Sequence, residues 1–301
     1  MNNRRWLWAL LSLTSLGCWQ PEDAALTEGE LDELGTESQA IVRGEIEDGV
    51  PQVMALLVAR LDGGQALCSG TLFAPRAILT AGHCLDQAAS VLAYFGNDFD
   101  ADFPQLFDPS VPPENWRFGV EWRQHPRFDL ATMDSDVAVV HVDRDLPFAP
   151  LPLSFDEVGP RRIGDRVEIL GYGAEESDES NAGGPGAFIK RSGQTVFEGT
   201  PRRFPLPPNP HPGLTNRRIR NQLMQLDGSS PHANACFGDS GGPALMRTED
   251  GHGHRRGHHG QQKVVGVFSW TGDFCEDFSY YVRLDQVAPF VIREAVYARH
   301  R

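Results

Sequence analysis

From residue 41 onward the apolar residues fall in short runs of strand length, separated by stretches rich in Gly, Pro, Asp and Asn. "MALLVARL" (54–61) is closed by Asp62-Gly63-Gly64, and "CSGTLFAP" (68–75) and "AILTAGHC" (77–84) follow. "VAVVHVD" (137–143), "RVEILGYG" (166–173), "FIKRSGQTVFEG" (188–199), "KVVGVFSW" (263–270) and "SYYVRL" (279–284) continue the series. Such runs bounded by turn residues predict an all-β fold of the sandwich or barrel kind. The C-terminus differs: Asp285 is placed to cap a helix carrying Phe290, Val291, Ala295 and Val296 on one apolar face. "LPFAPLPLSFDEVGP" (146–160) reads as a linker crossing between two halves, and no internal repeat is evident.

Three segments read as surface insertions: acidic then Gly-rich 174–186, Pro-rich 201–213, and "TEDGHGHRRGHHGQQ" (248–262). The third clusters His252, His254, His258 and His259, a metal-site composition. A Gly-rich loop holds ligands poorly, and neither Cys nor helical spacing supports a site. The solvated-loop reading is preferred, and no metal is expected.

The first 40 residues have a different character. Arg4 and Arg5 precede the twelve-residue apolar run "WLWALLSLTSLG" (6–17), which is too short to span a bilayer and reads as an export signal. "SLGC" ending at Cys18 is similar to a bacterial lipoprotein signal, although leucine stands one position closer to the cysteine than usual. Two outcomes stand: lipid on Cys18, anchoring the protein to a membrane at the cell envelope, or ordinary cleavage nearby and a free secreted protein. Residues 19–40 hold five Glu and two Asp with few large apolar side chains, as in a flexible pro-segment or tether.

Composition narrows the field. The 301 residues carry a net charge of −14, so nucleic acid is not an expected partner. Residues 1–40 contribute two Arg against seven Asp and Glu, so −9 belongs to the part with strand character. With Cys18 lipidated or removed, Cys68, Cys84, Cys236 and Cys275 remain, an even set suited to an oxidising compartment. Spacing alone leaves all three pairings open.

The chemistry concentrates in "ACFGDSGGPAL" (235–245). A serine hydroxyl needs a base to take its proton and donors to receive the developing oxyanion. Glycines at 238, 241 and 242 allow a sharp turn in which the N–H groups of Gly238 and Ser240 converge. Asp-Ser-Gly-Gly is also ordinary turn chemistry, so this stretch does not decide alone. "LTAGHC" (79–84) puts His83 where an apolar run meets a loop, and "DSDVAVVHV" (134–142) puts Asp136 just before a buried-looking strand. Asp134 competes with Asp136, but Asp136 directly precedes the Val-Ala-Val-Val run. The order His83, Asp136, Ser240 is that of one of the three known arrangements of a Ser-His-Asp triad.

Taken together, "IVRG", "CSGTLFAPRAILTAGHC", "DVAVV", "GYG", "CFGDSGGP" and "VGVFSW" resemble the trypsin-like (chymotrypsin-family) serine endopeptidases, from about Ile41 to the end of the chain. The resemblance implies two antiparallel β-barrels, about 41–150 and about 160–285, with a C-terminal helix at about 286–299. It implies a cleft with Ser240 as nucleophile, His83 as base and then acid, and Asp136 orienting His83. It also implies the disulfides Cys68–Cys84 and Cys236–Cys275, no cofactor, and protein or peptide substrates; a monomer is the expectation. Cleavage before Ile41 would free an amine to pair with Asp239 and shape the oxyanion turn.

At the implied pocket base stands Asn234, where a trypsin has aspartate. Thr271 follows Ser269 and Trp270 at the neck, and Ser279 faces them from the opposite wall. A narrowed, uncharged pocket for small neutral side chains is expected, unless the 269–275 loop turns Thr271 away. A catalytically silent homologue acting as a secreted binding protein is the alternative. It is disfavoured because no member of the triad is missing.

Overall fold

The computed structural model describes residues 41–107, 114–173, 188–201, 217–247, 261–272, 275 and 277–300. The export signal, Cys18, the acidic segment to residue 40, and nearly all of the three surface insertions lie outside the described residues. Thirteen strands are described, all antiparallel in their pairings.

Six of them close a first barrel: β2 (Val53–Arg60), β3 (Gln65–Ala74), β4 (Ala77–Thr80), β5 (Ala88–Tyr94), β6 (Trp116–Gln124) and β7 (Ala138–Val142), in the order β2-β3-β4-β7-β6-β5. A second closed barrel is built from β8 (Arg166–Gly171), β9 (Arg191–Gly199), β10 (Leu223–Asp227), β11 (Pro243–Arg247), β12 (Gln262–Thr271) and β13 (Phe278–Arg283). Its sheet runs β9-β10-β13-β12-β11-β8 and closes through β8 against β9. These are the two barrels expected from the sequence. Closure leaves no unpaired sheet edge within either barrel, which short strands with one apolar face otherwise expose.

The short β1 (Glu45–Ile46) pairs with β9, and Ile41 is fully buried in the core of the second barrel with Phe197, Met224 and Phe268. Ile41 and Glu45–Ile46 therefore go with the second barrel, whereas Gln52, whose carbonyl accepts Leu72 N–H at 2.8 Å, already goes with the first. Burying Ile41 is favourable by roughly 1.5–3 kcal/mol. That gain holds the segment in place although Ile41 sits at φ +47°, an uncommon region for a β-branched residue.

Three apolar clusters result. Met54, Leu56, Leu72, Ile78 and Val140 fill the first barrel, and Val167, Ile169, Met224, Ala244 and Phe268 fill the second. A third joins the barrels, with Val53, Leu79, Val139, Tyr172, Val267 and Tyr280, and extends to the C-terminal helix. The segment 146–160 crosses between them: Leu151 N–H donates to Leu72 O and Ser154 N–H to Val264 O, each at 2.9 Å.

The C-terminal helix, Leu284–Ala298, departs from the expectation in two ways. Asp285 lies in its first turn and does not cap it; the residue at the N-cap is Arg283, which grips Asp285 at 3.0 and 2.6 Å. Val296 is 51% exposed, while the buried stripe is Leu284, Val287, Phe290, Val291, Glu294 and Ala298. Glu294, fully buried on that stripe, meets His141 Nε2 at 3.1 Å and Arg123 Nη1 at 3.3 Å. Arg123 also lies over the Tyr297 ring, 4.0 Å from its centroid. This polar clamp explains why every residue of β7 is buried: the helix covers the strand's outer face.

Removing one member of a buried charged cluster strands the others. Glu294→Ala should therefore lower unfolding stability by roughly 2–3 kcal/mol, the partly exposed Arg123 softening the full effect. Urea unfolding followed by tryptophan fluorescence measures it, and a change under about 0.5 kcal/mol would show that the clamp is dispensable.

Candidate active site

Strand register brings His83 and Asp136 together. In the antiparallel β4–β7 pair Thr80 lies opposite Ala138. Three residues after Thr80 and two before Ala138 therefore emerge at the same end of the barrel. There His83 Nδ1 is 2.8 Å from Asp136 Oδ2, and the His83 backbone N–H donates to Asp136 Oδ1, also at 2.8 Å. Ser269 Oγ, from β12 of the other barrel, donates to Asp136 Oδ2 at 2.6 Å. Asp136 is fully buried, and these are its three donors among the described residues. With Nδ1–H directed at the carboxylate, Nε2 of the neutral ring is left as the acceptor.

Asp134, the competitor, faces elsewhere. Its Oδ1 accepts from Ser135 Oγ at 3.0 Å and from Gln222 Nε2 at 3.2 Å. Between the two aspartates Ser135 holds φ +50°, which turns the chain so that neighbouring carboxylates diverge.

Burial of the His83 ring works to lower its pKa, but the charge and hydrogen bond of Asp136 outweigh it. The net effect is a rise above the ordinary histidine value, Arg60 opposing slightly. The His83 side chain is 21% exposed, so the ring remains reachable from the cleft.

Ser240 shares this corner from the second barrel. Its carbonyl oxygen accepts Ser69 N–H at 2.8 Å and lies 3.6 Å from Cys84 Sγ, which is 3.9 Å from His83 Nε2. Ser240 Oγ makes no hydrogen bond to His83 among the described residues; in resting sites such contacts are often long and tighten with substrate. Cys84 is bonded to Cys68 and Cys236 to Cys275. Cys68, His83 and Cys84 are close enough to hold an ion, but both sulfurs are already joined to each other.

The turn before Ser240 has unusual backbone geometry. Gly238 stands at φ +95°, and a Cβ there would meet Gly173 Cα at 2.8 Å. At Gly241, φ +88°, a Cβ would lie 2.1 Å from Thr80 Oγ1. Asp239 N–H donates to Cys236 O and Gly242 N–H to Asp239 O, whereas the N–H groups of Gly238 and Ser240 meet no acceptor among the described residues. Donors left free in a tight turn are the physical requirement for receiving an oxyanion.

Beneath them Asp239 is buried. Oδ1 accepts Gly173 N–H at 2.7 Å, Oδ2 accepts Cys236 N–H at 2.8 Å, and Ile41 N–H donates as well. Burial pushes its pKa up to about 7, the three backbone donors opposing.

Asn234 is fully buried six residues before Ser240. Its Nδ2 lies 2.9 Å from Cys275 O, 3.5 Å from Phe278 O and 3.4 Å from Thr271 Oγ1, while Oδ1 has no partner among the described residues. Thr271 Oγ1 in turn donates to Phe278 O at 2.9 Å, so its side chain is turned toward Asn234. Ser279 is buried opposite Thr271 across the β12–β13 pair, and Trp270 stacks on Tyr280 with centroids 5.3 Å apart. Two features went unread in the sequence. Ser269, taken as a pocket residue, reaches Asp136, and Phe237, beside Gly238, is 46% exposed on the same loop.

Two six-stranded antiparallel barrels followed by a helix define the chymotrypsin-like fold, the fold class of a large group of serine endopeptidases. The solved structure of HL collagenase shares it with a TM-score of 0.61, covering 84% of this chain and 98% of that one at 19% identity. The family model described as Trypsin matches residues 49–291, and the chain belongs to the trypsin family. Among relatives, Trypsin 5G1 of Aedes aegypti is 25% identical over 238 residues, covering 76% of this chain and 75% of that protein. Mannan-binding lectin serine protease 1 of Homo sapiens is 25% identical over 230 residues, 70% of this chain but 29% of that protein. Tissue-type plasminogen activator of Bos taurus is 26% identical over 229 residues, 70% of this chain and 35% of that protein. The chain thus spans about a third of the length of the longer relatives.

The raised His83 pKa yields a prediction with a definite sign. A group whose folded pKa exceeds its unfolded value contributes stability below the unfolded pKa, about 6.5, and loses it as pH rises through the folded value. Asp136→Asn should lower the His83 pKa in an NMR titration and remove that part of the stability profile. An unchanged titration would mean that the Asp136 charge does not govern His83.

Proposed function

We propose that this protein is an exported endopeptidase that hydrolyses peptide bonds through Ser240, His83 and Asp136. The observation that carries the reading is Asp136, fully buried and held by His83 Nδ1, His83 N–H and Ser269 Oγ, at the corner where Ser240 enters from the second barrel. Ser240 Oγ bonds to the scissile carbonyl carbon as its proton passes to His83 Nε2. The N–H groups of Gly238 and Ser240 receive the oxyanion. Collapse breaks the C–N bond, with the proton on Nε2 going to the leaving amine. Water then repeats the sequence on the acyl-enzyme and frees Ser240.

Protein or peptide substrates follow from the family. Two disulfides favour an oxidising, extracellular location. Lipid attachment at Cys18 is part of the proposal as one of two routes after export. The pocket takes small neutral side chains at the residue before the cut: Asn234 offers no charge, and Thr271 leans over it.

Chain expressed at full length, exported and matured by the cut before Ile41 should cleave blocked peptides ending in Ala or Val and leave those ending in Arg or Lys. Ser240→Ala should reduce turnover by several orders of magnitude with the fold unchanged. Unchanged turnover in that variant sinks the catalytic assignment, and efficient cleavage after Arg sinks the pocket assignment.

Activation by a cut before Ile41 completes the reading. A buried carboxylate with only amide donors is costly when charged, and a new α-ammonium at Ile41 would neutralise it. The sign is again definite. In the uncut chain Asp239 has a folded pKa of about 7, above its unfolded value, so stability falls as pH rises between those values and the carboxyl ionises. After the cut the ammonium favours the ionised form, and that loss should vanish. Thermal unfolding of cut and uncut chain from pH 4 to 8 measures the difference. Parallel profiles, or full activity with an intact Ala40–Ile41 bond, would refute the mechanism.

A further inference from the structure

We infer that Ser69 is a positioning residue whose hydroxyl holds the oxyanion turn in its working shape, an assignment that rests on the peptidase reading above. Ser69 lies on β3 of the first barrel and is fully buried beside Cys68. All its polar groups are engaged, and three of its four bonds cross the barrel junction. Its N–H donates to Ser240 O at 2.8 Å, and its carbonyl accepts Thr80 Oγ1 at 2.8 Å. Its Oγ accepts Tyr172 N–H at 3.0 Å and donates to Gly238 O at 3.1 Å.

The direction of the last bond is fixed by chemistry. A hydroxyl has one proton, and the oxygen already receives one from the Tyr172 amide, so its own proton goes to the Gly238 carbonyl. Each peptide plane ties one carbonyl to the next residue's N–H. The plane from Gly238 to Asp239 is held at one end by Ser69 Oγ and at the other by the Asp239 N–H bond to Cys236 O, 3.1 Å. The plane from Ser240 to Gly241 is held by Ser69 N–H and by the Gly241 N–H bond to Phe268 O, 2.8 Å. The Ser240 N–H belongs to the plane between these two, and the Gly238 N–H to the plane just before them.

One residue therefore anchors both flanks of the donors. The flank at Gly238 needs it more, because a glycine at φ +95° resists rotation least. Ser69 Oγ is the one side-chain donor to the Gly238 carbonyl among the described residues. Tyr172 precedes Gly173, whose N–H binds Asp239, so the hydroxyl also links this flank to the strand end that supports the buried carboxylate.

The test compares Ser69→Ala with wild type, both made as full-length chain and matured in the host. The probes are a blocked Ala-Ala-Ala p-nitroanilide and the peptidyl aldehyde of the same sequence, whose hemiacetal oxygen occupies the oxyanion position. Loss of one oxyanion donor in serine peptidases costs about 10²–10³ in kcat, and loss of its support should cost less, roughly tenfold to a hundredfold. The expected result is that fall in kcat, KM within about threefold, and an aldehyde inhibition constant raised in proportion to the fall in kcat. Ser69→Thr, which keeps the hydroxyl, should recover most of the turnover.

Wild-type kcat in Ser69→Ala overturns the assignment. So does a loss expressed in KM without the aldehyde, since that marks a merely structural role. If Ser69→Ala does not fold, Ser69→Cys, nearly isosteric and a weak donor, is held to the same expectations. Failure of both to fold also overturns it. An inactive wild type overturns the peptidase reading itself, whereas an active wild type with an equally active Ser69→Ala overturns only the role of Ser69.

Discussion

The carboxylate of Asp239 is the constraint on which the active corner depends. It has almost no access to water, and a buried carboxyl without partners is among the most expensive groups a fold can contain. Its three donors come from separate parts of the chain: Ile41 near the start, Gly173 after β8, and Cys236 in its own loop. Satisfying it gathers these segments around the turn that ends in Ser240. The adjoining disulfide to Cys275 tethers the same loop to the segment between β12 and β13. The turn's geometry is thus imposed from beneath, leaving its upper N–H groups uncommitted.

The two barrels divide the work, and the division explains why their junction is polar where the remainder of it is apolar. The first supplies His83, Asp136 and Ser69, and the second supplies Ser240, Ser269 and the turn. His83 and Asp136 meet within the first barrel, and the barrels are joined at the corner through Ser269 to Asp136 and through Ser69 to Ser240 and Gly238. Around them Leu79, Val139, Val267 and Tyr280 exclude water, which strengthens those bonds and makes each unpaired group costly. On the far side of β7 the clamp of His141, Arg123 and Glu294 fixes the strand that carries Asp136 at its entry.

Much of this was legible in the sequence, for reasons that also mark where reading stops. The runs 54–61 and 263–270, which fall on β2 and β12, are nearly continuous apolar stretches bounded by turn residues, and a run of that kind announces itself. The strand 116–124, "WRFGVEWRQ", does not, because Arg117 is buried while Phe118 and Val120 are exposed, against the alternation. β10 is five residues long and includes Gln and Asp, too short for a periodic signal. Val296, expected on the apolar face, is exposed, and Glu294 is buried, because a helix face is chosen by its partner. His141, on a strand with no outward sign of polarity, is that partner. At the site, residue types and order identified His83, Asp136 and Ser240 as candidates. The hydroxyls of Ser69 and Ser269 carry no local signature, since each acts on a group more than a hundred positions away.

The segment at 41–42 joins the remaining pieces. Ile41 reaches the turn through Asp239, and Val42 forms a bridge with Asn234, whose N–H donates to Val42 O at 3.1 Å. Two consecutive residues thus touch the buried Asp239 beneath the turn and the buried Asn234. Because Asn234 and Asp239 lie five residues apart in a loop pinned by Cys236, a displacement of 41–42 strains both ends at once. Packing around Ile41 leaves little intermediate ground: its side chain either occupies the second barrel's core or leaves a cavity there, and close-packed interiors favour one discrete arrangement over gradual deformation. Any displacement of the Ile41 backbone is therefore coupled to Asp239 and Asn234 together, and nearly all or none.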